Sequence, residues 1–258
     1  MAMPKRLVLV RHGESEINVF TKRAKRGESL PKDFYSTPDR EFRLTDKGRD
    51  QAVATGNYLK QIYPEGFDII LVSDHTRAKE TAALLCLSAE FDQPIQVDPQ
   101  VGERNWGNFQ HMDKPLRDEI LKLKNRDPLH SPMPDGETLL EARTRTRVLL
   151  ERCARQYAGK SVLVITHGEY IESIWSEIAH FRTEAQIEFF QSTDGDVKNC
   201  QIVEFASEAP HFRFSQVRSS NPYLNQTGQW QALTSQLMTA NEILDEVNKY
   251  PRLIKDGD

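Results

Sequence analysis

Leu7-Val8-Leu9-Val10-Arg11-His12-Gly13 and Val162-Leu163-Val164-Ile165-Thr166-His167-Gly168 are two short apolar runs, rich in β-branched residues, that each end in His-Gly. A continuous apolar run of this length, followed by a helix start, reads as a strand covered on both faces. Each run then delivers a histidine to the carboxyl end of a parallel strand, the edge of an open α/β sheet where ligands bind. One such histidine alone reads as an ordinary loop residue. Two in matching contexts, with Arg11 beside the first, describe an anion site that also contains a nucleophile.

Working outward, Thr45–Tyr63 predicts a helix, with Thr45 as N-cap and Ala52, Val53, Tyr58, Leu59 and Ile62 as its apolar positions. Phe67–Val72 predicts a second buried strand, and Ser73 or Thr76 then caps a helix to about Leu87. Pro94–Val97 predicts a short third strand, and a helix is expected from about Lys114 to Leu123. Thr138-Leu139-Leu140-Glu141 is a capping box that opens a helix reaching about Tyr157. A helix over about Gly168–Ala179 follows the second His-Gly, and Val197–Ala206 and Phe212–Val217 predict late strands that extend the sheet. Alternating strands and helices predict an α/β fold: a three-layer α/β/α arrangement with a mostly parallel central sheet flanked by helices on both faces.

No break in composition divides residues 1–258, so a single domain is expected. Two segments read as loop insertions, near 19–43 with Lys22, Arg23, Lys25 and Arg26, and near 111–134. Long loops of this kind are lids, recognition elements or solvated excursions. Near 229–249, apolar residues fall at Trp230, Leu233, Leu237, Ala240, Leu244 and Val247, one stripe of an amphipathic C-terminal helix. Such a helix packs on its own domain or is donated to a second copy in a homodimer.

Hydrophobic residues make up 38% of the chain and charged residues 28%, enough for a core and a soluble surface. A net charge of −4 favours neither nucleic acid nor an acidic membrane as partner. Cys86, Cys153 and Cys200 are widely spaced and form no C-x-x-C, which suits buried thiols in a reducing compartment. No apolar stretch approaches the ~20 residues that span a bilayer, and no apolar leader precedes the first strand; a cytoplasmic location is expected. His75, His111, His130, His180 and His211 show no H-x-x-x-H or H-E-x-x-H spacing and read as surface or core histidines, so no metal and no cofactor is expected. Arg143, Arg145 and Arg147 alternate along a helix and read as solvated charges.

Arg11-His12-Gly13-Glu14-Ser15-Glu16-Ile17-Asn18 resembles the R-H-G-x-x-x-x-N signature of the histidine phosphatase superfamily, phosphoglycerate-mutase-like branch. Further segments are similar in the same order: Leu44-Thr45-Asp46-Lys47-Gly48 through Gln51-Ala52, Ser73 through Arg77-Ala78, Glu103-Arg104-Asn105-Trp106-Gly107, Gly136-Glu137-Thr138 and Thr166-His167-Gly168. The resemblance spans roughly residues 5 to 180. It implies that His12 is the nucleophile, forming a phosphohistidine, and that His167, Arg11 and Arg77 bind the phosphoryl group. It further implies that Glu103 is the general acid and then the base, and that Asn18, Ser15, Arg104 and Gly168 bind substrate. The chemistry agrees, because phosphoryl transfer is mainly positioning and charge stabilisation, and forked guanidinium donors suit phosphoryl oxygens. Glu169 is a rival acid, although Thr166-x-x-Glu169 also reads as a capping box.

Three functions follow from the resemblance. The favoured one is hydrolysis of a small phosphorylated substrate. The second is cofactor-dependent phosphoglycerate mutase chemistry, for which the stretch from Glu103 to Gly107 with Lys114 is similar. Mutases, however, carry an adjacent Arg pair in a longer segment here, and this chain has only the isolated Arg117 and Arg126. The third is a non-catalytic module that binds a phosphorylated ligand or a partner protein; the full set Arg11, His12, Arg77, Glu103 and His167 speaks against it.

Overall fold

The computed structural model describes residues 2–109, 112–127, 129–182, 188, 192, 196–208, 213–233 and 239–249. Its first strand, β1 (Arg6–Arg11), is followed by α1 (Glu16–Lys25), α2 (Asp46–Ile62), β2 (Ile69–Val72), α3 (Thr76–Ala89) and β3 (Ile95–Val97). Then come α4 (Lys114–Arg126), α5 (Leu139–Gln156), β4 (Ser161–Thr166) and α6 (Gly168–Ala179). The chain closes with β5 (Ile202–Ala206), β6 (Gln216–Ser220), β7 (Gln231–Ala232) and α7 (Ala240–Val247).

Strand order is β3-β2-β4-β1-β5-β6-β7. The four strands from β3 to β1 are parallel, and β5, β6 and β7 are added antiparallel. Successive side chains point to opposite faces, which explains why β1 and β4 are apolar throughout. Leu7 and Leu9 pack with Val162 and Val164 against Leu149, Tyr170, Ile171 and Ile174 of α5 and α6. Val8 and Val10 pack with Leu163 and Ile165 against Leu59, Ala82 and Leu85 of α2 and α3. These four apolar residues of β1 are fully buried, each contributing roughly 1.5–3 kcal/mol. Three layers result, as the alternation of elements predicts.

The chain leaves β1 toward the α2–α3 face and leaves β4 toward the α5–α6 face. These two strands are neighbours, so their carboxyl ends form the topological switch point, where the outgoing connections part and open a crevice. Register makes the juxtaposition tight: Arg11 pairs with Thr166, so His12 and His167 are the next residue on each strand.

Several expectations are corrected. The loop insertion near 19–43 begins as helix α1, which buries none of its residues and so leaves no apolar stripe to read. The segment near 111–134, by contrast, holds α4 where a helix is expected from about Lys114, with only Ile120 buried. The terminal helix does not run from near 229: Gln231–Ala232 pairs with β6, and the helix covers Ala240–Val247. Leu237 lies outside the described residues; Leu233 packs against the core, while Leu244 and Val247 on the helix stand 59% and 58% exposed. Cys86, Cys153 and Cys200 are buried free thiols, and burial pushes them up to about 11, 12 and 12. Among the described residues no helix is long and apolar enough to cross a membrane.

Candidate active site

His12 is 2% exposed. Its Nδ1 lies 2.7 Å from the Gly13 carbonyl, so Nδ1 is the protonated nitrogen and Nε2 keeps the lone pair. Burial, and then the charges of Arg77 and Arg11, hold the ring well below the usual histidine range, leaving a neutral imidazole. Gly13 is required beside it: a Cβ there would stand 2.3 Å from the Gly48 carbonyl at the start of α2.

His167 caps α6, is wholly buried, and sits 5.1 Å from His12 between ring centroids. Its Nε2 meets Ser73 Oγ at 2.8 Å. Its buried Nδ1 has no hydrogen-bond partner and lies 3.8 Å from Glu103 Oε2. Desolvation, and then Arg77, keep this ring neutral as well. Arg77, on the first turn of α3, is buried against the same cluster, and Arg11 donates through Nη1 to the Val197 carbonyl at 2.5 Å with Nε buried and unpartnered. Gly168 opens α6 against the Arg11 side chain, where a Cβ would make ordinary contact.

Glu103 lies on an irregular stretch after β3, with Oε1 accepting from the Arg104 backbone N–H at 3.0 Å. Burial, reinforced by Glu169, raises its carboxyl to about 7. That is the range in which one group can both donate and accept a proton at neutral pH. The five residues Arg11, His12, Arg77, Glu103 and His167 are thus brought to one crevice.

The expected substrate binders fare differently. Asn18 Oδ1 accepts from the backbone N–H and the hydroxyl of Ser15 and from Asn199 Nδ2, at 3.0–3.1 Å. Ser15 is fully buried and its hydroxyl donates to Asn18 Oδ1 at the start of α1. Arg104 is buried, pairs with Glu169 at 3.1 Å and lies 4.2 Å over the Trp106 ring. Lys124 covers the same ring at 4.6 Å and reaches Glu169 at 3.7 Å. Glu169 is therefore a counter-ion rather than the capping-box partner of Thr166, whose hydroxyl donates instead to the Val101 carbonyl.

Two further groups belong to the site. His75 is packed 4.7 Å from His167, with Nδ1 3.2 Å from Ser73 Oγ, and is no isolated surface histidine. Asp39 reaches in from the segment before α2 to both Arg77 and His75. His111 and His211 lie outside the described residues. Among the described residues no group of three or more His, Cys, Asp and Glu is disposed to hold a metal ion.

Arg145 corrects the reading of its helix as solvated. Its guanidinium is bidentate to Glu137 at 2.9 Å, and it donates to the carbonyls of Gln100, Gly102 and Glu103 at 3.0–3.1 Å. Glu137 in turn accepts from the Asn105 N–H and donates its own N–H to the Asn105 carbonyl, both at 2.8 Å. The stretch that carries Glu103 is thereby tied to α5. Arg143 and Arg147, four apart, both pair with Glu177 of α6.

The model of the histidine phosphatase superfamily (branch 1) matches residues 7–218. A 2,3-bisphosphoglycerate-dependent phosphoglycerate mutase 2 of Gloeobacter violaceus is 31% identical over 219 residues, covering 82% of this chain and 89% of the relative. The uncharacterized phosphatase PhoE of Bacillus subtilis is 29% identical over 178 residues, covering 69% and 79%. Among solved structures, the alpha-ribazole phosphatase of Shigella flexneri superposes with a TM-score of 0.62 at 18% identity, over 91% of this chain and 98% of that one. A mycobacterial glucosyl-3-phosphoglycerate phosphatase gives 0.61 at 18% identity, over 90% and 100%. The chain belongs to the histidine phosphatase superfamily, branch 1.

Proposed function

We propose that the protein hydrolyses a small phosphate monoester through a phosphohistidine on His12. The observation that carries this reading is the neutral His12 ring, its Nε2 lone pair free, held within 5.1 Å of His167 beside Arg77 and Glu103. Nε2 attacks phosphorus and the bond to the leaving oxygen breaks, while protonated Glu103 gives that oxygen its proton. Arg11, Arg77 and the orphaned Nδ1 of His167 face the developing charge. Glu103, now a carboxylate, takes a proton from water as the water oxygen attacks the phosphohistidine. Inorganic phosphate leaves, and both residues return to their starting states.

Hydrolysis is favoured over mutase chemistry by Glu169. A mutase holds a substrate with a second anionic group, and the cations beside Glu103 that could take it, Arg104 and Lys124, are shared with this carboxylate, which would have to release them. The test is release of phosphate from an aryl phosphate in the presence of EDTA. His12→Ala should abolish it, and radioactive phosphate should be trapped on the wild type but not on the variant. Glu103→Gln should slow an alkyl phosphate far more than an aryl phosphate, whose leaving group needs little protonation. Turnover that survives His12→Ala refutes the covalent route, and equal slowing of both esters removes Glu103 from its role. Interconversion of 2- and 3-phosphoglycerate outpacing phosphate release would establish the mutase instead.

A further inference from the structure

Both amino nitrogens of Arg77 donate to one residue. Nη1 reaches the Asp39 carbonyl at 2.7 Å and Nη2 reaches its carboxylate at 3.0 Å. The same carboxylate oxygen lies 3.3 Å from Nε2 of His75. His75 is joined through Ser73 to His167, so Asp39 caps the polar chain that ends at the second catalytic imidazole. Its charge acts on both His12 and Glu103. Burial pushes the Asp39 carboxyl up, but His75 and Arg77 outweigh this and hold it at about 2, so it is an anion at every working pH.

The segment around Asp39 is anchored on both sides and open between. Phe34 and Phe42 are buried and pack on Phe20 of α1, with ring centroids 5.6 and 6.0 Å away. Pro38, Arg40 and Glu41 are exposed, and Asp39 alone among these four turns inward to Arg77. A short turn held at its ends by aromatic packing can release one inward side chain without unfolding.

We propose that Asp39 is an affinity-setting residue, an internal anion that occupies Arg77 until the phosphoryl group of the substrate displaces it. The identity of the displacing group rests on the phosphatase reading above; the competition itself needs no turnover. A phosphoryl oxygen and the Asp39 carboxylate seek the same forked donors, and two anions held side by side on one guanidinium repel. Nε of Arg77 is buried without a partner, so an incoming anion can touch it there, but one that takes the forked amino edge breaks the Asp39–Arg77 pair first. Ligands that engage Arg77 alone fall below useful affinity, whereas those that also engage Arg11 and the two imidazoles do not.

The experiment is calorimetric titration of inorganic phosphate and of dimethyl phosphate into the full-length protein and into Asp39→Asn and Asp39→Ala, alongside KM for an aryl phosphate. Both variants should bind both anions about tenfold more tightly, equivalent to about 1.4 kcal/mol, and KM should fall by a similar factor. Acetate should compete with phosphate in Asp39→Ala, standing in for the missing carboxylate, at concentrations that leave the wild type unaffected. A misfolded variant cannot gain affinity, so the expected result is not open to that explanation. Unchanged or weaker phosphate binding in both variants overturns the proposal and makes Asp39 a fixed support of Arg77. Tighter binding without turnover in the wild type would leave the proposal standing and remove the phosphatase reading instead.

Discussion

Replacing Arg145 by methionine keeps an unbranched apolar stem and removes every hydrogen bond the guanidinium makes. The three carbonyls of Gln100, Gly102 and Glu103 lose a charged donor, and the Glu137 carboxylate loses its bidentate partner. Bonds to charged groups are worth about 1.5–3 kcal/mol each in protein interiors. The Arg145 and Glu137 side chains are 18% and 25% exposed, so water reaches some of the abandoned groups and softens the loss. A net destabilisation of about 3 kcal/mol is expected, equivalent to a fall in Tm of roughly 6–12 °C for a chain of this size. Arg145→Lys keeps the charge without the fork and should fall between the two. Denaturant unfolding measures the first effect. The second is catalytic: with the Glu103 stretch untied, kcat for an alkyl phosphate should fall more than kcat for an aryl phosphate. Unfolding free energy within about 0.5 kcal/mol of the wild type would refute the clamp. A stability loss with equal slowing of both esters would reduce Arg145 to a purely structural role.

The pH dependence follows from the same site. Glu103 must be protonated to assist the first step, and its carboxyl sits at about 7, so kcat/KM for an alkyl phosphate should fall above pH 7. Persistence of that break in Glu103→Gln would assign it to another group. Burial, and then Glu169 and Glu103, raise the Glu172 carboxyl to about 8. A carboxyl raised on folding contributes stability at low pH that is lost as pH climbs from its unfolded value, near 4.3, through about 8. Glu172→Gln should therefore gain on the wild type by up to about 1.4 kcal/mol per pH unit across that window. A difference in Tm that is constant between pH 5 and pH 8 contradicts this sign.

What could be read from the chain beforehand was whatever local chemistry announces. Thr45 accepts from the Gly48 N–H, and Thr138 and Glu141 close their capping box, as short-range spacing predicts. The two His-Gly strand ends were legible because burial on both faces forces a continuous apolar run. Arg145 departs from the solvated expectation, and the spacing carries the reason: residues two apart do not share a helix face, whereas Arg143 and Arg147, four apart, do. The start of the terminal helix also had its signal in Thr239-x-x-Glu242, whose side chains and backbone bond reciprocally. An apolar stripe carries no start point, so it ran on through a strand. Asp39 and His75 left no trace, because their contacts cross from the segment before α2 to α3 and depend on the packed layers.

The segment around Cys200, far along the chain from His12, holds the nucleophile in place. The carbonyls of Arg11 and His12 both accept from the Cys200 N–H, and His12 O also accepts from Asn199 Nδ2. Cys200 adopts a left-handed φ of 54° to do so, a conformation costing roughly 1–2 kcal/mol outside glycine. That turn aims one N–H at both carbonyls. β5 runs antiparallel along β1 immediately afterwards, which converts what would be an edge strand into an interior one. The nucleophile therefore hangs from a strand paired on both sides, with its own carbonyl fixed from the late segment and its ring nitrogen fixed by Gly13. A phosphoryl acceptor that must keep one lone pair in line needs that immobility more than it needs any single contact to substrate.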